Sequence, residues 1–178
     1  MKDEGQTNAA PAKSWDTSFL PSDITFINLK TGRQIQEPSL IAVRCAPASR
    51  NPRIADYVLA VGSAALDYRD TPGVAVFSPL RYGQIAHFTD ALLMFRTFLQ
   101  TIRPKTDFIL KPIICVHAQK HVTEVEERAL VDAAMLMGAR RVFLYQEPLS
   151  TFLDIARGNK MLKNAYVLHI EPRDTEVP

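Results

Sequence analysis

The chain has 178 residues, 47% of them hydrophobic and 22% charged, enough for one globular domain with its own core; a second domain is not expected. Its formal net charge is +2. Lys and Arg are interspersed with Asp and Glu, so the linear sequence carries no electrostatic footprint for nucleic acid, although a basic patch assembled only by folding stays open. No apolar run approaches the about 20 residues of a membrane-spanning helix, and residues 1–14 are polar and small, so no transmembrane segment, anchor or secretory leader is expected and the cytoplasm is the default compartment. Cys45 and Cys115 both lie in apolar runs and neither belongs to a CxxC pair, so both are expected as reduced, buried thiols.

Residues 1–21 have no apolar period and contain Pro11 and Pro21, which predicts a flexible tail. From Ile24 the pattern alternates, and Lys30-Thr31-Gly32-Arg33 offers a turn, predicting a strand hairpin. A buried strand follows over 40–45, then a loop over 46–53 with two prolines. Short strands are expected over 57–61 and 74–77, with a brief helical stretch over 62–68 between them. Leu92, Phe95, Leu99 and Ile102 recur at helical spacing, predicting a helix over 89–102 capped by Thr89 or Asp90. A strand is expected over 108–116, with Pro112 at an edge or bulge. A second helix follows over 123–137, striped by Val125, Ala129, Val131 or Asp132, and Leu136, and stopped by Gly138. A strand over 140–145, a helix over 148–156 that begins at Pro148, and a strand over 165–170 complete the chain, with 171–178 as a second tail. Strands first and strand–helix alternation afterwards predict an α/β domain over 22–170: a mixed sheet with helices on its faces.

Several segments occur in an order that carries a resemblance. They are Gln36-Glu37-Pro38-Ser39, Leu59-Ala60-Val61-Gly62, Arg69-Asp70-Thr71-Pro72-Gly73 and Pro79-Leu80-Arg81-Tyr82-Gly83-Gln84-Ile85-Ala86. The block from Cys115 through Thr123-Glu124-Val125-Glu126-Glu127-Arg128-Ala129 follows, then Gly138-Ala139-Arg140-Arg141-Val142-Phe143-Leu144 and Glu147-Pro148. Together they resemble the MreB family of bacterial rod-shape actins over about residues 24–170. The resemblance implies the first half of an actin-like, ribonuclease H-like ATPase fold, subdomains IA and IB, without the half that closes over the nucleotide.

An actin-type ATPase grips its phosphates between two glycine-rich hairpins, because only glycine lets backbone N–H groups come close to phosphate oxygens. Where the family reads Asp-Leu-Gly-Thr-Ala-Asn, this chain has Asp16-Thr17-Ser18-Phe19-Leu20-Pro21-Ser22. Where the family reads Asp-Ile-Gly-Gly-Gly-Thr-Thr-Glu, it has His169-Ile170-Glu171-Pro172-Arg173-Asp174-Thr175-Glu176. The family's Ala-Asp-Phe is Ala86-His87-Phe88, and its Val-Pro-Val-Gly is Val116-His117-Ala118-Gln119. The resemblance thus outlines a remnant cleft at Asp16, His87, His117, Glu126, His169 and Arg173. Of these only Glu126 matches a catalytic position of the family, the glutamate that helps place the attacking water. The same residue also closes a Thr-x-x-Glu capping box with Thr123, which is the reading its spacing favours.

Other chemistry is weighed at the same residues. His117 and His121 are four apart and His169 could be a third metal ligand, but the segment reads as a loop leaving a strand, and no metal is expected. The histidines are expected instead to face solvent at the mouth of the cleft. Cys115 shares a strand face with His117, yet its apolar surroundings predict an inert thiol. Met135 and Met137 are expected in the core, with a partner surface as the alternative.

The resemblance implies a role in cell shape or elongation, and the departures from it imply that ATP turnover is lost. The expected function is a non-catalytic interaction or regulatory module, a pseudo-ATPase without a cofactor, which binds an actin-like filament or a wall-synthesis scaffold through the helix over 123–137. The alternative is an ATP- and Mg-binding protein with a rebuilt site in which Arg173 contacts phosphate. The strand over 165–170 opens the missing half in the family, so it is expected either at an edge of the sheet or unpaired.

Overall fold

A computed structural model describes residues 21–45, 57–105 and 110–173. Residues 1–20 of the expected tail over 1–21, residues 46–56 with the expected loop over 46–53, residues 106–109 where the expected strand over 108–116 begins, and residues 174–178 of the expected second tail lie outside the described residues. Among the described residues ten strands form: β1 (Asp23–Asn28), β2 (Gln34–Pro38), β3 (Ile41–Arg44), β4 (Val58–Val61), β5 (Val74–Phe77), β6 (Leu80–Arg81), β7 (Gln84–Ile85), β8 (Ile113–His117), β9 (Arg141–Tyr145) and β10 (Tyr166–Glu171). Three α-helices among the described residues join them: α1 (Phe88–Ile102), α2 (Glu124–Leu136) and α3 (Leu149–Gly158).

The main sheet has the order β2-β1-β10-β8-β9. β8, β9 and β10 run parallel, and β1 pairs antiparallel with both β2 and β10. A smaller sheet has the order β4-β3-β5, with a 3₁₀ segment at Gly62–Tyr68 beside it. Its Ile41 and Val43 bury into the same core as Ile24 and Phe26 of β1.

Alternation along the strands sends side chains to two faces. Phe26, Ile114, Val116, Leu168 and Ile170 pack beneath α1 and α2. Ile27, Ile113, Cys115, Tyr145 and Val167 pack against Phe152 and Ala156 of α3. The mixed sheet with helices on both faces is the architecture the sequence predicts.

The last strand is neither at an edge nor unpaired. β10 is the central strand of the main sheet, and Tyr166 through Ile170 are all buried. A strand flanked on both edges and covered on both faces must be apolar on both sides, which its Tyr-Val-Leu-His-Ile run nearly achieves.

Four further expectations are corrected. Cys45 is exposed, because β3 ends at Arg44 and the thiol follows the strand rather than entering the core. α1 begins after His87 with no side-chain cap, and Asp90 instead places its charge in the first turn, where the helix dipole favours it. Pro112 precedes β8 rather than interrupting it, and its carbonyl accepts the Arg140 amide. α2 buries Leu130, Ala133 and Ala134, while Val125 and Leu136 are exposed, so the helix is rotated from the expected stripe. Of the two methionines that follow, Met137 is buried and Met135 is exposed.

The hairpin β6–β7 had no counterpart among the expected elements. Its turn holds Tyr82 at φ 52° and Gly83 at φ 78°, the left-handed pair a two-residue hairpin requires.

Candidate functional site at the C-terminal edge of the parallel strands

β8, β9 and β10 end side by side, the edge at which open α/β sheets present ligand sites. His117 ends β8 opposite Tyr145 of β9. The rings of His117 and His169 lie 4.2 Å apart, tilted by 34°. The Tyr145 hydroxyl is 2.9 Å from His169 Nδ1, and the Tyr145 ring stacks on Phe152 of α3 at 3.8 Å. One face of the sheet thus ends in a packed His–His–Tyr–Phe column.

Hydrogen bonding fixes part of the proton arrangement. His117 Nδ1 lies 3.1 Å from the Ile170 carbonyl, which can only accept, so Nδ1 carries the proton and Nε2 keeps its lone pair in the neutral ring. Burial lowers the His117 pKa, partly offset by the Ile170 carbonyl and by Glu171 and Glu147. Burial and the neighbouring His117 push His169 down to about 4. His169 is buried, so it does not face solvent as expected; the rings of His117 and Tyr145 pack on it. Burial holds the Tyr145 hydroxyl in its protonated form and raises the Cys115 thiol to about 12, which makes that thiol a poor nucleophile, as its apolar run predicts.

The other candidates do not join this ring column. Glu126 completes the capping box: its Oε2 accepts from the Thr123 amide at 2.6 Å and from Thr123 Oγ1 at 3.0 Å, while its own amide donates to Thr123 Oγ1 at 3.3 Å. His87 is exposed at the start of α1, with its ring edge-on to Phe77 at 5.4 Å. Arg173 donates two hydrogen bonds, of 2.9 and 2.7 Å, to the Asp23 carboxylate, so its guanidinium is already engaged. Asp16 lies outside the described residues. His121 is exposed, and among the described residues no group of three or more His, Cys, Asp or Glu is disposed to hold a metal ion.

The β6–β7 hairpin tip docks on the same edge. The Gly83 amide donates to Ser22 Oγ at 3.1 Å, and Gln119 Nε2 donates to the Tyr82 carbonyl at 3.0 Å. A Cβ on Gly83 would collide only with the end of the flexible Gln119 side chain, and it is the positive φ of this residue that favours glycine. Sequence reasoning missed Tyr145, Asp23 and Ser22 as partners. For Tyr145 the available signal was its place at the C-terminal end of a predicted strand, level with His117.

A sequence profile described as MreB/Mbl protein matches residues 24–158. The chain belongs to the MreB/Mbl family. It is 30% identical over 148 residues to the cell shape-determining protein MreB of Escherichia coli K12, covering 82% of this chain and 42% of that relative. It is 34% identical over 119 residues to the cell shape-determining protein Mbl of Bacillus cereus, covering 66% of this chain and 33% of that relative. The chain therefore spans less than half the length of these curated relatives. The crystal structure of MreB5 of Spiroplasma citri bound to AMPPNP superposes with a TM-score of 0.59 at 23% identity, over 79% of this chain and 40% of that one. This likeness establishes the actin-like fold of the shared part. No helix among the described residues is long and apolar enough to cross a membrane.

Proposed function

We propose that this chain is a non-catalytic member of the MreB/Mbl family, an interaction or regulatory module of the cell-shape machinery that its curated relatives are named for. The observation that carries the reading is the packing of the strand ends where the resemblance places the second glycine-rich hairpin. A phosphate cradle needs successive backbone N–H groups open to the ligand. In its place Ile170 is buried, Pro172 has no N–H, and Arg173 is held by Asp23. Glu171 and Glu147 add like charge that would repel phosphate. These residues do not fit a nucleotide triphosphate with its metal, and Glu126 is engaged as a helix cap.

The partner surface in this reading is the outward face of α2. Val125 is 78% exposed at its first turn and Leu136 50% and Met135 46% at its last, with the exposed Arg128–Asp132 ion pair between them. An actin-like filament or a wall-synthesis scaffold is the class of partner the family role suggests.

Thermal melting of the purified chain with and without millimolar Mg-ATP or Mg-ADP tests the reading. A ligand at 100 times its dissociation constant adds about 2.7 kcal/mol of stability, a shift of several degrees in a domain of this size. A cooperative melt with no shift is the expected result. A shift that His169→Ala or Glu126→Ala abolishes would overturn it in favour of an ATP-binding protein with a rebuilt site.

A further inference from the structure

The opposite end of the main sheet has a different chemistry. Five segments meet there: 29–33 after β1, 103–105 after α1, 110–112 before β8, 138–140 before β9 and 159–165 before β10. They are tied together by the Leu29 amide on the Ala165 carbonyl, Arg33 on the Thr101 carbonyl, Arg103 on the Leu110 carbonyl and the Arg140 amide on the Pro112 carbonyl. Each of the five carries Lys or Arg, and none carries Asp or Glu among the described residues. The charges that look scattered along the sequence are thus gathered by the fold at the edge remote from Glu147 and Glu171.

At the centre is a cleft of about 180 Å³ lined by Ile113, Arg140, Arg141 and Met161. The Arg141 guanidinium sits 6.0 Å from the Phe143 ring centroid and 3.6 Å from Met161 Sδ, which holds its fork in place. Leu110 is 77% exposed and Met161 54%, so apolar surface adjoins the arginines. Lys111, Lys160 and Lys163 are exposed around them. Arginine, methionine and aliphatic side chains around a concavity, with lysines outside, is the composition of a protein–protein contact: arginine and methionine favour the core, and lysine is left to the rim.

We infer that this basic edge is a docking surface for an acidic, leucine-bearing segment of a partner protein, with carboxylates on the Arg140 and Arg141 forks and an aliphatic side chain beside Met161 and Leu110. Carboxylates match the planar guanidinium fork two oxygens at a time. Among the described residues the five segments contain no Trp, Tyr or Phe to serve as the stacking platform of a single-stranded nucleic-acid site or the aromatic girdle of a lipid interface. The surface goes beyond the function proposed above, since it lies at the other end of the sheet from the histidine column and on different elements from the α2 stripe. It keeps its meaning whether or not nucleotide binds.

The test is fluorescence anisotropy of the full chain with a fluorescein-labelled peptide of five Glu-Glu-Leu repeats. The expected result is saturable binding that weakens at least tenfold in the Arg140→Glu, Arg141→Glu double variant. Lys160→Glu with Lys163→Glu weakens it less, and Lys120→Glu, at the opposite edge, leaves it unchanged. Arg141→Lys, which keeps the charge but not the fork, also weakens binding. Unchanged melting curves for these surface variants separate lost contact from lost fold. No binding, or equal weakening by Lys120→Glu, overturns the proposal. Tighter binding to a 30-base-pair DNA duplex or to phosphatidylglycerol vesicles than to the peptide also overturns it.

Discussion

The two faces of the main sheet are built by the same strands and do different things. Beneath α1 and α2 the packing is apolar apart from the buried Asn28, whose amide donates to the Ile102 carbonyl at 3.4 Å: Phe26 lies edge-on to Phe95 at 6.3 Å and tilted against Phe98 at 6.4 Å, with Met94, Ile114, Val116 and Leu168 around them. Beneath α3 the apolar layer of Ile113, Cys115 and Val167 gives way toward the strand ends to Tyr145, His169 and His117. One residue of alternation separates the two, so a strand can contribute Val116 to one face and His117 to the other. The first face supplies stability insensitive to pH, and the second ties stability to protonation.

The sharpest way to isolate the first face is Phe95→Ala. Phe95 is fully buried, and removing its ring leaves a cavity between α1 and β1 that the packed helices cannot close. The expected loss is about 3–5 kcal/mol in urea-induced unfolding at neutral pH. A loss below about 1 kcal/mol would mean that this face does not hold the fold.

The second face is isolated by pH. His169 is held at about 4 in the folded chain, against 6.5 for an ordinary imidazole, and His117 is lowered as well. A depressed histidine favours the neutral ring, so its contribution is complete above pH 6.5 and is lost as pH falls toward 4. For His169 alone the loss at pH 4 is up to about 3 kcal/mol. Unfolding free energies measured from pH 7.5 to 4 should show this slope in the parent and in Phe95→Ala alike, and a shallower one in His169→Phe. An identical slope in His169→Phe would place the acid sensitivity elsewhere.

How much of this was legible follows from the range of each interaction along the chain. Strands and helices were readable because their periods are local, and the capping box was readable because both of its residues fall within four positions. The buried face of α2 was not, since alanines form its inward stripe while Val125 and Leu136 point out, which reverses the contrast that hydrophobic periodicity relies on. The exposure of Cys45 turned on where β3 stops, and strand ends are weakly encoded. The central place of β10 and the His–His–Tyr column were beyond reach for a common reason. Tyr145 and His169 are 24 residues apart, and His117 meets the Ile170 carbonyl across 53, so pairing of non-consecutive strands had to be known first. The gathering of basic segments at one edge depends on the same pairing.

The smallest expected effect bears on a residue that belongs to neither face. The carboxylate of Glu126 is committed to Thr123. If capping is its role, Thr123→Ala costs about 1 kcal/mol, because the Glu126 amide loses its acceptor at the first turn of α2. Glu126→Gln should cost less than that, since the amide oxygen can still accept from the Thr123 N–H in the reciprocal half of the box. Urea unfolding of both variants and of the double variant measures the coupling between them. A Glu126→Gln loss as large as that of Thr123→Ala would mean that the carboxylate charge itself matters, either toward the N-terminal dipole of α2 or toward a bound cation. Repeating the melts with millimolar Mg would separate these two cases, because only a bound cation makes the parent's stability depend on the metal.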